Sequence, residues 1–177
     1  GNDGSRVAVA GSINTTANTT FRIKFFATDI AATGNGEGKT YLGATTVITN
    51  GNGDSRFVAA FDQAIAAGQY VTSTATVVEA DGTYGSTSEF SGNLQATSAL
   101  IVDTINDVVD GTTTSVAALL AGKGADGFVS LREAIIATNN TAGTETIFLP
   151  DGTYTLTRAG TGEDAASTGD LDINGAL

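Results

Sequence analysis

Apolar and polar residues alternate along the first half of the chain with a period of two, which sends successive side chains to opposite faces of a strand. In residues 6–13, Val7, Val9 and Ile13 fall on one side, and in residues 19–28 Phe21, Ile23 and Phe25 share a face. The pattern resumes over 40–49, turns through Asn50-Gly51-Asn52-Gly53-Asp54, a strong hairpin signal, and returns over 56–61. Residues 69–79 make the longest expected strand, with Val71, Ser73, Ala75 and Val77 facing one way and Thr72, Thr74, Thr76 and Val78 the other. A turn over 81–85 and a strand over 87–96 close the set, while 30–39 reads as a Gly- and Asn-dominated loop and 62–67 as a connection. About seven short strands at this spacing predict an Ig-like β-sandwich over residues 1–96.

Beyond a short junction the period changes. Residues 99–103 read as a strand, 115–121 as a short helix, and 130–139 as a better one, because Ser130 and Glu133 have the spacing of a capping box. On that helix Leu131, Ile135 and Thr138 share a face, with Ala134 beside them. Strands are expected over 145–149 and 153–157, separated by Pro150-Asp151-Gly152; a Gly-rich loop follows, and a last strand begins at 171–173. Residues 97–177 thus predict a second, small β-rich domain with one or two short helices, and the chain as a whole is mainly β.

Composition narrows the chemistry. Hydrophobic residues make up 41% of the 177, enough for a core, but only 15% are charged, so Thr, Ser, Asn and Gly must supply the polar surface. Cys and His are both absent. That excludes disulfides, thiolate chemistry and the Ser-His-Asp and Cys-His arrangements, and makes zinc, copper and haem sites improbable. The net charge of −11 argues against nucleic acid, which needs clustered Lys and Arg. Residues 97–177 carry −8 of it, and an acidic, oxygen-rich half suits a hard cation such as Ca²⁺. No apolar run is long enough to span a membrane. With no Met or signal peptide ahead of it, Gly1 reads as a processed terminus or the start of an excised segment.

A succession of short motifs in the second half adds a family resemblance. Ile101-Val102-Asp103-Thr104, the stretch 107–111, Ser130-Leu131-Arg132-Glu133-Ala134-Ile135, Thr146-Ile147-Phe148-Leu149, Gly152-Thr153-Tyr154 and Gly169-Asp170-Leu171-Asp172-Ile173 occur in that order. Together, over residues 99–174, they resemble the CSLREA domain of large exported bacterial surface proteins. The resemblance implies that this segment caps or begins a right-handed parallel β-helix. Val129 stands where the name-giving Cys would be, so any disulfide usual in relatives is lost. The first half resembles the Ig-like bacterial surface repeat that accompanies such domains, on Asn18-Thr19-Thr20-Phe21 before Phe25-Phe26, Gly36-Glu37-Gly38 before Leu42-Gly43, Val71-Thr72, and Thr87-Ser88-Glu89-Phe90-Ser91. Neither family implies a catalytic residue set.

Other motifs weigh less. Gly38-Lys39-Thr40 looks like the end of a phosphate loop, but Thr33 stands where the required Gly would be and a strand pattern follows. Residues 122–127 spell G-x-G-x-x-G between two helices, with no βαβ unit around them, and read as a connection. Glu163, Asp164, Asp170 and Asp172 would suit a glycosidase pair, but aromatic platforms are lacking. The Asn-x-Thr triplets at Asn14, Asn18 and Asn139 read as turns. Arg132 and Glu133 are adjacent on a helix and do not face each other, so Glu133 is read as a cap and Arg132 as partner to a loop carboxylate. Calcium is the better reading of the acidic residues, with Asp103, Asp107, Asp110, Asp126, Asp170 and Asp172 as candidate ligands of a structural Ca²⁺.

The expected function is a non-catalytic structural or adhesive module of a secreted or cell-surface bacterial protein, a repeat unit or filament subunit. Self-association would be head-to-tail or with tandem neighbours: the strand carrying Val7, Val9 and Ile13 would pair with the edge carrying Leu171, Ile173 and Leu177. An extracellular glycan or matrix is the other expected partner, and no membrane span is expected. The rivals are the first coil of a polysaccharide-processing β-helix and a carbohydrate-binding module, the latter disfavoured by the absence of Trp.

Overall fold

A computed structural model describes residues 1–29, 34–35, 37–66 and 68–174. Two compact units emerge, one of residues 4–97 and one that starts at Ser98 and takes in Gly1–Asp3. The sequence division at 96 and 97 assigned those first residues to the sandwich. Instead Asn2 bridges Ser98 in parallel, and its carbonyl accepts the N–H of Ala99 at 3.1 Å.

In the first unit β1 (Val7–Asn14) pairs antiparallel with β4 (Asp54–Phe61). The facing sheet has the order β3 (Thr40–Ile48), β2 (Thr20–Thr28), β5 (Tyr70–Val78) and β6 (Tyr84–Thr87), with β7 (Leu94–Gln95) also on β5. The result is sandwich-like, as alternation requires. Phe21, Ile23, Phe25 and Ala27 of β2 are buried together with Val7, Leu42, Val47 and Val71. Phe25 meets Phe57 and Phe61 of the opposing sheet, with ring centroids 5.6 and 5.4 Å apart. Burying such rings stabilises by roughly 1.5–3 kcal/mol each.

The strand expected over 87–96 is interrupted: Thr87 ends β6, which begins at Tyr84 inside the expected turn, and Leu94–Gln95 forms β7. Serine is the reason: Ser91 and Ser88 place Oγ atoms on the N–H groups of Ser73 and Ala75, both at 3.0 Å, where a regular strand would offer carbonyls. Their own N–H groups donate to the Ser73 and Ala75 carbonyls, both at 2.8 Å, and the hydroxyls supply the other half of each pairing at the edge of β5.

The second unit has little ladder. β8 (Leu100–Ile101) pairs parallel with β9 (Ile147–Phe148), and α1 (Val116–Ala121) and α2 (Leu131–Asn139) pack over it. Leu100, Val102, Leu119, Val129, Ala134 and Ala137 form its core. The strand expected over 145–149 shrinks to two residues, and those expected over 153–157 and 171–173 are not strands. Their backbone is held by side chains instead: Asp107 takes the N–H groups of Thr157 and Arg158, and Asn139 takes the carbonyl of Asp172 and the N–H of Asn174. The fold is mainly β, with two short helices. Among the described residues no helix is long and apolar enough to cross a membrane.

Candidate functional site

Ser130, Arg132, Glu133 and Asp107 come together at the start of α2. Ser130 caps the helix, its Oγ accepting the Glu133 N–H at 3.1 Å and donating to the Val108 carbonyl at 2.6 Å. Glu133 Oε2 accepts the N–H of Ser130 at 2.9 Å, completing the capping box. Its other oxygen leaves the helix and accepts the N–H groups of Asp110 and Gly111, at 2.9 and 2.8 Å. One carboxylate therefore starts the helix and pins the loop before α1.

Arg132, 1% exposed, does the same for the far end of the unit. Its fork grips Asp107, Nε to Oδ1 at 2.6 Å and Nη2 to Oδ2 at 3.1 Å. Nη1 donates to the carbonyls of Ala166 and Asp170, at 2.7 and 3.2 Å, and Nη2 to that of Gly169 at 2.8 Å. Each of the five guanidinium N–H donors thus has an acceptor. Ala166, fully buried, sits at φ 55° in the left-handed region, a conformation uncommon for a residue with a Cβ, and its carbonyl is one of those acceptors. Arg132 and the N–H groups of Arg158 and Thr157 hold the Asp107 carboxyl down to about 2, against the opposing effect of burial. The expected helix face is right at Ala134, Ile135 and Thr138 and wrong at Leu131. Arg132 and Glu133 are buried on it with Ala134, Ile135, Ala137 and Thr138, while Leu131 is only half-buried.

The G-x-G-x-x-G segment has an anion site of a kind, already filled. Asp110 Oδ2 accepts the N–H groups of Ala125 and Asp126, at 2.8 and 3.1 Å. Gly124, at φ +86°, lies so close to that carboxylate that a Cβ would have no room. The chain's own Asp occupies the place a phosphate would need.

The six proposed calcium ligands are dispersed. Asp103 accepts the Val129 N–H and faces Lys123 Nζ at 3.6 Å; Asp107 serves Arg132; Asp110 serves the glycine loop; Asp126 accepts the N–H of Phe128 at 2.8 Å. Asp170 and Asp172 lie near Glu163 and Asp164, and burial followed by these three neighbours pushes the Asp172 carboxyl up. Glu163 runs the other way, pulled down by the N–H groups of Thr168 and Ala165 and the Ser167 hydroxyl. Among the described residues no three or more acidic side chains are grouped to hold a metal ion.

The proposed assembly strands fare unequally. Val7 is buried in the sandwich core with Val9 and Ile13 against it. Leu171 is half-buried and Ile173 is 54% exposed, but neither is in a strand, and Leu177 lies outside the described residues. What the sequence reading missed is the reach of Asp107 and Asp110. An Asp-x-x-Asp-Gly run ahead of a capped helix was the available signal, and it was read as metal ligation. No family model matches the chain, and no curated protein matches it.

Proposed function

We propose that the chain is a non-catalytic structural and adhesive module of a secreted or cell-surface bacterial protein, its second unit serving as a cap or first coil for a β-helix. The observation that supports this is the destination of the reactive side chains. Arg132, Glu133, Asp107 and Asp110 are engaged with the backbone of their own unit, where they order loops that carry few ladders. A buried arginine with every donor satisfied acts as a clasp; a catalytic acid or cation must keep a face for substrate. A structural Ca²⁺ keeps its place in this reading at Asp170 and Asp172, since the other four carboxylates already have partners. An unchanged melting midpoint with EDTA would remove it.

The function is tested by incubating the purified chain with soluble neutral and acidic polysaccharides and measuring new reducing ends. No release is expected. Sustained release that scales with protein concentration overturns the reading and favours the β-helix enzyme.

A further inference from the structure

We infer that the outer face of the wider sheet binds an acidic polysaccharide, Arg22 and Lys24 taking sugar carboxylates while Tyr41 and Tyr84 take the faces of sugar rings. The inference rests on the reading of the chain as an adhesive module and names what it adheres to. Alternation fixes the face. Phe21, Ile23, Phe25 and Ala27 of β2 are buried in the core, so Arg22, Lys24 and Phe26 stand on the opposite side. In register, Arg22 lies between Thr46 of β3 and Thr76 of β5, and Lys24 between Ala44 and Thr74. Tyr84 pairs with Val78 toward one end of this face, and Tyr41 pairs with Phe26 toward the other.

Charge sets this face apart. β2, β3, β5 and β6 contain no Asp or Glu, in a chain that has 19 of them and a net charge of −11. Arg22 and Lys24 are the cations of these four strands, about 7 Å apart along β2. Arg6, Lys39, Lys123 and Arg132 each face a carboxylate. Among the described residues Arg22 and Lys24 have no acidic partner. Arg22 leans on phenols instead. Its Nη1 donates to the Tyr84 hydroxyl at 3.3 Å, and its guanidinium carbon lies 5.9 Å from that ring's centre. The Tyr41 hydroxyl, and then Tyr84, push the guanidinium up.

Both rings remain available, Tyr41 at 49% and Tyr84 at 61% exposed. A uronic-acid chain offers each group on this face its counterpart. Its carboxylates make charge-assisted hydrogen bonds to the two cations. Its apolar ring faces pack on the phenols, and its hydroxyls meet those of Thr46 and Thr74. Nucleic acid also stacks on tyrosine, but its phosphates need clustered cations to release their counterions, and two on a chain of net −11 do not supply them.

The test is calorimetric titration of the full chain with oligosaccharides of polygalacturonate, alginate and hyaluronan, each beside its carboxyl-reduced, neutral form. At least one acidic oligosaccharide is expected to bind, roughly ten-fold more tightly than its reduced form and less tightly as salt is added. Arg22→Gln and Lys24→Gln should each weaken the acidic sugar about ten-fold without changing the neutral one. Tyr84→Ala should weaken both. Arg56→Gln, at an exposed position on β4, should change neither. Melting midpoints confirm that the variants fold; should Arg22→Gln fail, Lys24→Gln carries the test. Four results overturn the inference: no binding of any of the three acids, equal binding of acidic and reduced forms, an equal loss from Arg56→Gln, or tighter binding of oligothymidylate. Each leaves the module reading standing, whereas release of new reducing ends removes that reading and not the Arg22 face.

Discussion

The two units solve the same problem by different means. In the sandwich, backbone groups pair in long ladders and the interior is Phe, Ile, Val and Ala. Among the described residues of the second unit two short strands pair, and much of the backbone is held by buried polar side chains radiating from one helix turn. A ladder satisfies its own donors and acceptors and tolerates substitution on its faces. A clasp concentrates that duty in a few atoms, so loss of one side chain orphans several buried groups at once.

The largest test of this contrast is Arg132→Ala. It leaves the Asp107 carboxylate buried and three loop carbonyls without donors, and should cost about 3–5 kcal/mol. Hydrogen exchange should show lost protection across 98–174 while β2 and β5 stay protected. Retained protection around Gly169 would break the comparison. Lys at this position should not rescue, because an ammonium cannot reproduce the fork.

Phe25→Ala is the counterpart in the sandwich, with about 3–5 kcal/mol expected from the cavity between the sheets. Chemical denaturation followed by exchange should place the loss in residues 4–97. If both variants melt both units together, the units fold as one and the contrast holds only locally.

Acid comes next. The Asp107 carboxyl is held at about 2, below its ordinary 3.8, so it stabilises the folded unit above pH ~4 and this contribution is lost as pH falls toward 2. In the sandwich, the carboxyls pulled down are Asp29, by Lys39 and Gln69, and Asp81, by Thr83, both at exposed positions where water screens the gain. Between pH 4 and 2 the amides of Thr157 and Arg158 should therefore lose order before those of β2, as read by NMR peak loss. The reverse order would contradict the role given to Asp107.

Ser130→Ala removes the cap and the tie to Val108, and should cost about 1–2 kcal/mol in equilibrium unfolding of the second unit. Smallest is Asp172→Asn. Its carboxyl is pushed up by burial and by Asp170, Asp164 and Glu163, so neutralising it should raise stability slightly, with the gain fading as pH drops and the native Asp takes its proton. A loss of stability instead would mean that Asp172 holds a cation.

Much of the first unit was legible because alternation is a local signal. β1 to β5 fall within a residue or two of the strands read from Val7, Phe21, Thr40, Phe57 and Val71. The capping box at Ser130 and Glu133 was equally plain, since its partners are three residues apart. Residues 153–157 and 171–173 misled for the same reason. Their alternation is genuine, but whether a strand forms depends on which backbone lies alongside, and here Asp107, Asn139 and Arg132 reach the backbone first.

The sequence by itself determined a mainly β chain, its turn positions, the capped helix and the absence of thiol and imidazole chemistry, all of which follow from residue type or short spacing. Only the tertiary structure decided that Arg132 joins residues 25 to 38 positions away, that Asp110 fills the glycine loop, and that β1 pairs with β4 in a sheet narrower than the one it faces. Such contacts depend on where distant segments meet, and the orientation of a buried charge is settled by the nearest donor or acceptor left unpaired when they do.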